Sequence, residues 1–301
     1  MGDAGVSAFT SGLVAGMTSS FVFSPVDRAL FLSHVHKRPF LCESNFEKPF
    51  QSVNMVMLQR VISSGLCFPL EDAVRRRCPV GERSSFTHNF VSGTVSGSLI
   101  AIVTNPLASI TFQKWSAQHP GGMIRVASIM FQTGGIACFN RAIFTTLARD
   151  FIWGGAFSCL RHELPKHLAR SQQPLVDPNT GVQLAGAVSF FSNVIAAAVA
   201  TLISSPFNYA RNLQYAHDLS RGHLSTTAVF RNLWREAQEN KLNTQESRAS
   251  FLARRLTIGW GTLRVSVGIA FSSQIYNLLM AELSSSRTAA SGSASPSSAA
   301  A

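Results

Sequence analysis

Acidic residues are scarce in this chain. Only 15 residues of 301 are Asp or Glu, against 26 Lys and Arg, so the formal net charge is +11. Charged residues of both signs make up 14% of the sequence, whereas soluble domains carry about 25%. Hydrophobic residues make up 46%. The shortage of charge argues against a soluble domain and favours helices that are embedded in a membrane.

Motifs of several function classes are also missing. The five cysteines form no C-x-x-C pair, so the sequence predicts neither a disulfide framework nor a zinc site. There is no nucleophile elbow, Walker loop or metal-ligand cluster, so we expect neither enzyme activity nor a cofactor. The N-terminal segment lacks the features of a secretory signal or an Arg-rich transit peptide. Basic residues are dispersed between apolar stretches, so we expect anionic lipid as the counter-charge and no nucleic-acid partner.

What the sequence does contain is a frame that recurs three times. In each copy, two small residues one helical turn apart stand thirteen and nine residues before a proline. The three copies are Gly12, Gly16 and Pro25; Gly93, Gly97 and Pro106; and, more weakly, Asn193, Ala197 and Pro206. Self-similarity at a period near one hundred residues indicates one structural unit that is used three times.

Six apolar segments are near or above the length of about 20 residues that crosses the hydrocarbon core of a bilayer. They cover residues 6–35, 55–74, 86–115, 142–160, 182–215 and 251–279. The three prolines fall late in the first, third and fifth segments, where each frees a backbone carbonyl. Hydroxyl groups that could bind such carbonyls stand nearby in Ser24, Thr104 and Ser205.

Polar links join the paired segments. Residues 125–132 and 226–238 have helical spacing and one apolar face, so we predict helices that lie in the membrane interface there. The first link, 37–51, is polar, and we expect a short amphipathic piece after it. Residues 284–301 are rich in Ser and Ala without an apolar period, and we predict disorder.

The chain resembles the mitochondrial carrier family across roughly residues 6–280. The resemblance lies in a unit that occurs three times and consists of a helix with a proline near its end, a surface helix and a second long helix. The resemblance implies an all-α membrane protein with six transmembrane helices in three pseudo-symmetric repeats around a central cavity, and short matrix-side interfacial helices. The repeats would cover 6–80, 86–170 and 182–282. It also implies a multi-pass protein of the mitochondrial inner membrane.

In this family each of the three prolines begins a motif. An acidic residue stands two residues after the proline, and a basic residue stands five residues after it. These side chains form the matrix gate. Here the motifs read PVDRAL, PLASIT and PFNYAR. The family pattern would pair Asp27 with Thr111, Ala108 with Arg211, and Asn208 with Leu30. None of these pairs is a salt bridge, and one hydrogen bond contributes only about 0.5–1.5 kcal/mol. We therefore expect closure at this end to be weaker than in a typical carrier, or to depend on packing.

Candidate solute contacts lie within the even-numbered segments. Three ionisable residues, Arg149, Asp150 and Arg264, lie in apolar surroundings. Burying ionisable groups in a membrane costs free energy, so such residues are functional by default. The resemblance adds Gln59 and Arg60. An Arg followed by an acid resembles the amino-acid and carnitine transporters, since arginine grips a carboxylate and Asp150 can face an ammonium group. The excess of arginine would also suit a dicarboxylate or a phosphorylated solute. The purely structural alternative is an ion pair of Asp150 with Arg149 or Arg264 that only holds the fourth and sixth segments together.

The cytosolic gate that the resemblance implies is incomplete. Its candidates are Asp72 and Arg75 on the second segment, and Tyr276 and Asn277 on the sixth. The family's cardiolipin-binding motifs survive only in outline, around Arg141. Two functions follow. The cavity residues favour a transporter that moves a small metabolite, amino-acid-like or a carboxylate, by alternating access. The degenerate gates favour a carrier-derived structural or accessory subunit of a larger inner-membrane complex that no longer transports.

Overall fold

The computed structural model describes residues 3–77, 86–116, 121–171, 181–218, 222–244 and 246–292. Within these ranges the chain is mostly helical and forms no strand, which confirms the predicted all-α class. The helices are α1 (Asp3–His36), α2 (Val53–Arg77), α3 (Phe86–Trp115), α4 (Met123–Gly134), α5 (Ile143–Ser171), α6 (Gly181–Ala216), α7 (Thr226–Thr244), α8 (Arg248–Arg255) and α9 (Ile258–Gly292). Helices α4, α7 and α8 are short, and the others run for 25 residues or more.

Two of the long helices are apolar and long enough to cross a membrane. Among the described residues, these are α3 and residues 190–216 of α6, with mean hydropathies of 1.5 and 1.6 over their most apolar windows. The predicted interfacial segments 125–132 and 226–238 form helices, namely α4 and α7.

Three predicted boundaries differ from the structure. The sixth segment is divided, because Thr257 has a left-handed backbone (φ 48°) that separates α8 from α9. The first link contains a short 3-10 turn at Glu43–Asn45, and α2 follows it without a separate amphipathic helix. Helix α9 continues to Gly292, where we predicted disorder from residue 284, because Ala and Ser do not break a helix. Residues 293–301 lie outside the described part of the chain.

The six long helices form a closed ring in which each contacts two neighbours. Going around it, α1 packs against α2, α2 against α3, α3 against α5, α5 against α6, α6 against α9, and α9 against α1. Helices α1, α3 and α6, which carry the prolines, also contact one another. Side chains on the inner faces of different helices are therefore brought together within the ring.

The three prolines lie inside α1, α3 and α6, and the helices continue past them. The predicted hydroxyl compensation occurs at one of them. Ser205 donates to the carbonyl of Leu202 (2.9 Å), which Pro206 leaves without its helical donor. Thr104 instead donates to Ile100, and the Ser24 hydroxyl has no hydrogen-bond partner among the described residues.

The C-terminal ends of α1, α3 and α6 converge and close one end of the ring. The Phe31 ring lies 4.8 Å from Phe112 and 5.7 Å from Trp115, and Phe112 stacks on Tyr215 at 4.9 Å, measured between centroids. Nine residues after each proline stands a fully buried side chain, respectively His34, Trp115 and Tyr215. Aromatic pairs contribute about 0.5–1.5 kcal/mol each beyond the area they bury. Closure at this end therefore depends on packing.

Each link is also hydrogen-bonded to the C-terminal end of another proline-bearing helix. The bonds are Trp115 Nε1 to the Gln51 carbonyl (2.8 Å), Arg141 to the His217 carbonyl (2.6 Å), and Arg255 to the Lys37 carbonyl (3.0 Å). These contacts join successive pairs of long helices around the ring.

Candidate functional site

Charged side chains from five of the long helices come together between them. They are Asp27 on α1, Arg60 on α2, Arg149 and Asp150 on α5, Arg211 on α6 and Arg264 on α9. Arg60 interacts electrostatically with the charged groups of this set on α1, α5 and α9, and Arg211 interacts with those on α2 and α5. We call this set the central charge cluster. Its four arginines and two aspartates leave a formal excess of two positive charges.

Arg264 is the most buried member of the central charge cluster. Its guanidinium forms an ion pair with Asp27, which links α9 to α1. The same guanidinium lies 5.1 Å from the centroid of the Phe23 ring, in cation–π geometry. The residue is only 8% exposed, and its Nε has no hydrogen-bond partner among the described residues. The Arg264 guanidinium thus contacts the Asp27 carboxylate and the Phe23 ring, while its Nε–H group is not hydrogen-bonded to any described residue.

Arg149 and Asp150 pair with each other although they are adjacent on α5. The Arg149 Nε donates to Asp150 Oδ1 at 2.6 Å, and a terminal nitrogen contacts the same oxygen. Their side chains are 26% and 15% exposed, so the pair is accessible from the space between the helices. The Arg149–Asp150 ion pair therefore lies within α5 and joins no two helices, while Arg264 pairs with Asp27 on α1 and not with Asp150.

Arg60 faces the interior of the ring. The residue is exposed, yet it interacts electrostatically with charged groups on α1, α5 and α9. Both observations fit a side chain that points into a space between the helices. Arg60 forms no ion pair with any residue that the structure describes. The neighbouring Gln59 is half-buried on α2.

Arg211 joins the central charge cluster from the closed end of the ring. Its guanidinium carbon lies 5.3 Å from the centroid of Phe112 and 5.9 Å from that of Tyr215. A terminal nitrogen donates to Asn212 Oδ1 at 3.3 Å, while the buried Nε has no hydrogen-bond partner in the described part of the chain. Within those same residues it forms no ion pair, since Ala108 stands where the family pattern has an acid.

Among the described residues, the other predicted gate residues do not form the pairs that the family pattern implies. Asp27 binds Arg264, and the Thr111 hydroxyl donates to the carbonyl of Leu107 on its own helix at 2.9 Å. Asp27 and Thr111, which the family pattern would pair, thus bind other groups, and a guanidinium is a stronger partner than a hydroxyl for a carboxylate. Asn208 and Leu30 are half-buried on α6 and α1.

The remaining predicted residues lie outside this cluster. Tyr276 is half-buried and Asn277 exposed on α9, while the side chains of Asp72 and Arg75 lie outside the described part of the structure. Arg141, predicted near a lipid site, is buried, and its guanidinium donates to the backbone carbonyls of residues 217, 218 and 222. Its donors are thus engaged within the protein.

Two further cavities lie away from the charges. One of about 310 Å³ is lined by residues 39–41 and by the junction of α8 with α9. The other, of about 240 Å³, is lined by Lys37, Tyr209 and residues of α7. Neither contains a member of the central charge cluster. The charged residues that line the second cavity, Lys37, Arg235 and Glu236, form ion pairs within the protein.

The aromatic partners of the cluster were not predicted from the sequence. Phe23 stands four residues before Asp27, one helical turn away, so a signal for its place on the same face was available. Phe112 and Arg211 are far apart along the chain, and only the packing of α3 against α6 brings them together.

A scan against models of known protein families finds no match, and neither does a search of curated proteins.

The arrangement can bind and orient an anion. Arginine presents planar pairs of donors that match carboxylate and phosphate oxygens. Two of the four arginines, Arg149 and Arg264, already contact a carboxylate, so their interaction with a solute must compete with Asp150 or Asp27. Arg60 and Arg211 have no such competitor among the described residues.

Proposed function

We propose that this protein is a membrane transporter for a small metabolite that carries negative charge, either a carboxylate or an amino-acid-like solute. The observation that carries the proposal is the central charge cluster, in which five long helices place arginines and aspartates between them. Charges inside apolar helices cost several kcal/mol unless they serve a partner. An excess of two positive charges in this place is hard to account for without a bound anion.

The proposed architecture is that of the mitochondrial carrier family, in a divergent form. All six long helices would cross the inner mitochondrial membrane, in three repeats of two helices. The closed ring, the buried side chain nine residues after each proline, and the repeated hydrogen bonds from link to helix end support this proposal. A solute would enter the ring, bind the central charge cluster and leave by alternating access.

The ion pairs in the cluster provide a route by which a solute could change the conformation. Asp27 and Asp150 form ion pairs with Arg264 and Arg149. An anion that competes for these guanidinium groups would release the carboxylates, and the Asp27–Arg264 pair joins α1 to α9. Binding would therefore loosen a contact between the first and last helices of the ring.

The experiment is a thermal-shift screen of the purified protein in detergent. Amino acids, carnitine, di- and tricarboxylates, phosphate and nucleotides are each added at increasing concentration. A solute at roughly 100 times its Kd stabilises the folded state by about 2.7 kcal/mol, which raises the Tm by about 5 °C for a chain of this size. Uptake of the same solute into liposomes then tests transport.

Arg60→Gln is the informative variant, and Arg231→Gln is its matched control. Arg60 has no ion-pair partner in the described structure, so its replacement removes a solute contact without leaving a buried carboxylate unpaired. Arg231 is an exposed residue of α7. We expect Arg60→Gln to abolish the shift and Arg231→Gln to keep it. A folded wild-type protein that no solute stabilises would instead support an accessory subunit of an inner-membrane complex, in which the cluster only holds the helices.

A further inference from the structure

Arg211 occupies a position where the family pattern has a gate residue, yet the structure places it differently. The partner position, 108, holds alanine, which is 3% exposed and packs with Phe112 and Tyr215. These are the two rings that lie beside the Arg211 guanidinium. A residue that would close a salt bridge is therefore left with an aromatic surface and no ion-pair partner among the described residues.

The aromatic surface is rigid. Phe112 and Tyr215 stack with their planes 16° apart. The Tyr215 hydroxyl is fixed by the Asn105 side chain and lies 3.2 Å from the Thr146 hydroxyl. A guanidinium beside such rings gains cation–π energy and loses little orientation entropy when it binds. Arg211 is thus pre-oriented, with a buried Nε that no described residue satisfies.

Arg60 stands within electrostatic range of Arg211, and the two like charges repel each other. Neither forms an ion pair with a described residue, while the other two arginines of the cluster do. The uncompensated charge of the cluster therefore resides on these two residues. An anion with a single charge would neutralise only one of them.

We propose that the loss of the acid at position 108 has turned Arg211 from a gate residue into a solute-binding residue, and that Arg60 and Arg211 together hold a small dianion. This inference rests on the proposed transport function and names its substrate class. The shared chemistry is two negative charges on one small molecule, as in a dicarboxylate or a phosphate. Arg149 and Asp150 lie beside the same site and would contact any further polar group of the solute.

The test compares probes that differ in charge, on wild-type protein and on Arg211→Gln. The probes are succinate, malonate and inorganic phosphate as di- or multiply charged anions, acetate as a monoanion, and alanine as a zwitterion. We expect a dianion to raise the Tm of the wild type well above any effect of acetate or alanine. In Arg211→Gln the apparent Kd for that dianion should weaken roughly 10- to 100-fold.

Position 108 provides a second, independent variant. Ala108→Asp supplies Arg211 with the carboxylate that the family pattern has, so the dianion should lose its effect while the Tm without solute is kept or raised. Ala108→Asn is the matched control, because it adds nearly the same volume without charge and should retain most of the dianion response. If both variants at 108 fail to fold, Arg211→Gln and the charge-retaining Arg211→Lys decide the question.

The possible failures can be told apart. If no probe or screened solute stabilises folded wild-type protein, the transport proposal itself fails. If acetate or alanine stabilises the wild type as strongly as any dianion, the substrate class is wrong while a solute site remains. If a dianion stabilises wild type and Arg211→Gln equally, Arg211 is not a solute contact. A dianion response that depends on both Arg60 and Arg211 supports the proposal.

Discussion

Gly93 on α3 and Gly154 on α5 allow two helix backbones to touch. A Cβ atom at Gly93 would lie 2.4 Å from the Gly154 carbonyl oxygen and 2.5 Å from the Ser158 Cβ. The contact is reciprocal, since a Cβ at Gly154 would lie 2.5 Å from the Gly93 oxygen. Small residues at helix interfaces are typical of membrane proteins, where van der Waals packing drives association. The approach also positions the start of α5 and hence Arg149.

Gly93→Ala is therefore expected to destabilise the protein by about 1–3 kcal/mol, the usual cost of overpacking. The backbone atoms that the new methyl group meets cannot move as a flexible side chain would. The measurement is the Tm in detergent. Gly259→Ala on α9 is the control, because no atom lies within 4 Å of its added Cβ. An unchanged Tm for Gly93→Ala would mean that α3 and α5 are not in backbone contact.

The sequence contained part of this residue-scale picture. Gly93 and Gly97 stand out because they recur at fixed distances before a proline. The partner of Gly93 could not be predicted, since Gly154 belongs to a helix more than fifty residues later, and nothing in its local sequence indicates which face meets α3. Proximity of this kind depends on the packing of whole helices.

At the scale of elements, the second helix of each pair begins after a residue in the left-handed region. Ser52, Ala142 and Thr257 have φ angles of 66°, 56° and 48°, and α2, α5 and α9 start at the next residue. None of the three is glycine, although this conformation costs an L-residue about 1–2 kcal/mol. The tight turn from link to helix is thus maintained against local strain, by the bonds that hold each link to a helix end.

Ser52→Gly is expected to stabilise the protein by about 1 kcal/mol. The substitution relieves the left-handed strain, although glycine also makes the unfolded chain more flexible by about 0.4–1 kcal/mol. It also removes a buried hydroxyl that has no hydrogen-bond partner among the described residues. The measurement is the free energy of unfolding of wild type and of Ser52→Gly, obtained by denaturation in the same detergent.

Ser52→Ala separates the two contributions to that gain. Alanine removes the hydroxyl but keeps the Cβ atom, so it should gain less than glycine does. If alanine and glycine stabilise equally, the strain is absent and only the unsatisfied hydroxyl matters. If glycine lowers the Tm, the backbone at position 52 does not adopt a left-handed conformation.

At the scale of the whole molecule, one carboxylate ties the end of α1 to the last third of the chain. Glu236 on α7 forms ion pairs with Lys37 and with Arg255, the latter at 2.8 Å. Burial would raise the pKa of Glu236, but the hydrogen bonds from Lys37 and Arg255 outweigh it, so that the pKa lies below the ordinary 4.5. Arg255 also donates to the Lys37 carbonyl at 3.0 Å.

This lowered pKa has a definite consequence for stability. Because the folded-state pKa lies below the unfolded value, the contribution of Glu236 is fully present above about pH 4.5 and is lost as the pH falls through the folded pKa. Glu236→Gln should therefore have a lower Tm than wild type near about pH 6, and the difference should shrink as the pH is lowered below about 4. The measurement is Tm against pH for both proteins.

Glu239→Gln is the control on the same helix. Glu239 lies 3.8 Å from Arg235, and both side chains are more than half exposed, so the pair contributes little. Its Tm should follow wild type at every pH. A Glu236→Gln protein as stable as wild type near about pH 6 would show that this junction does not hold the ring together.

The amino-acid sequence alone determined the all-helical class, the approximate positions of the long helices, where the three prolines recur, and which charges lie within apolar segments, because these depend on local composition and spacing. It did not determine the partners of those charges. Asp27 binds Arg264 and Arg211 meets Phe112 because α1 packs against α9 and α3 against α6. Which guanidinium of the central charge cluster lacks an ion pair among the described residues is therefore decided by the tertiary structure, since ion pairing depends on distances between helices far apart in sequence.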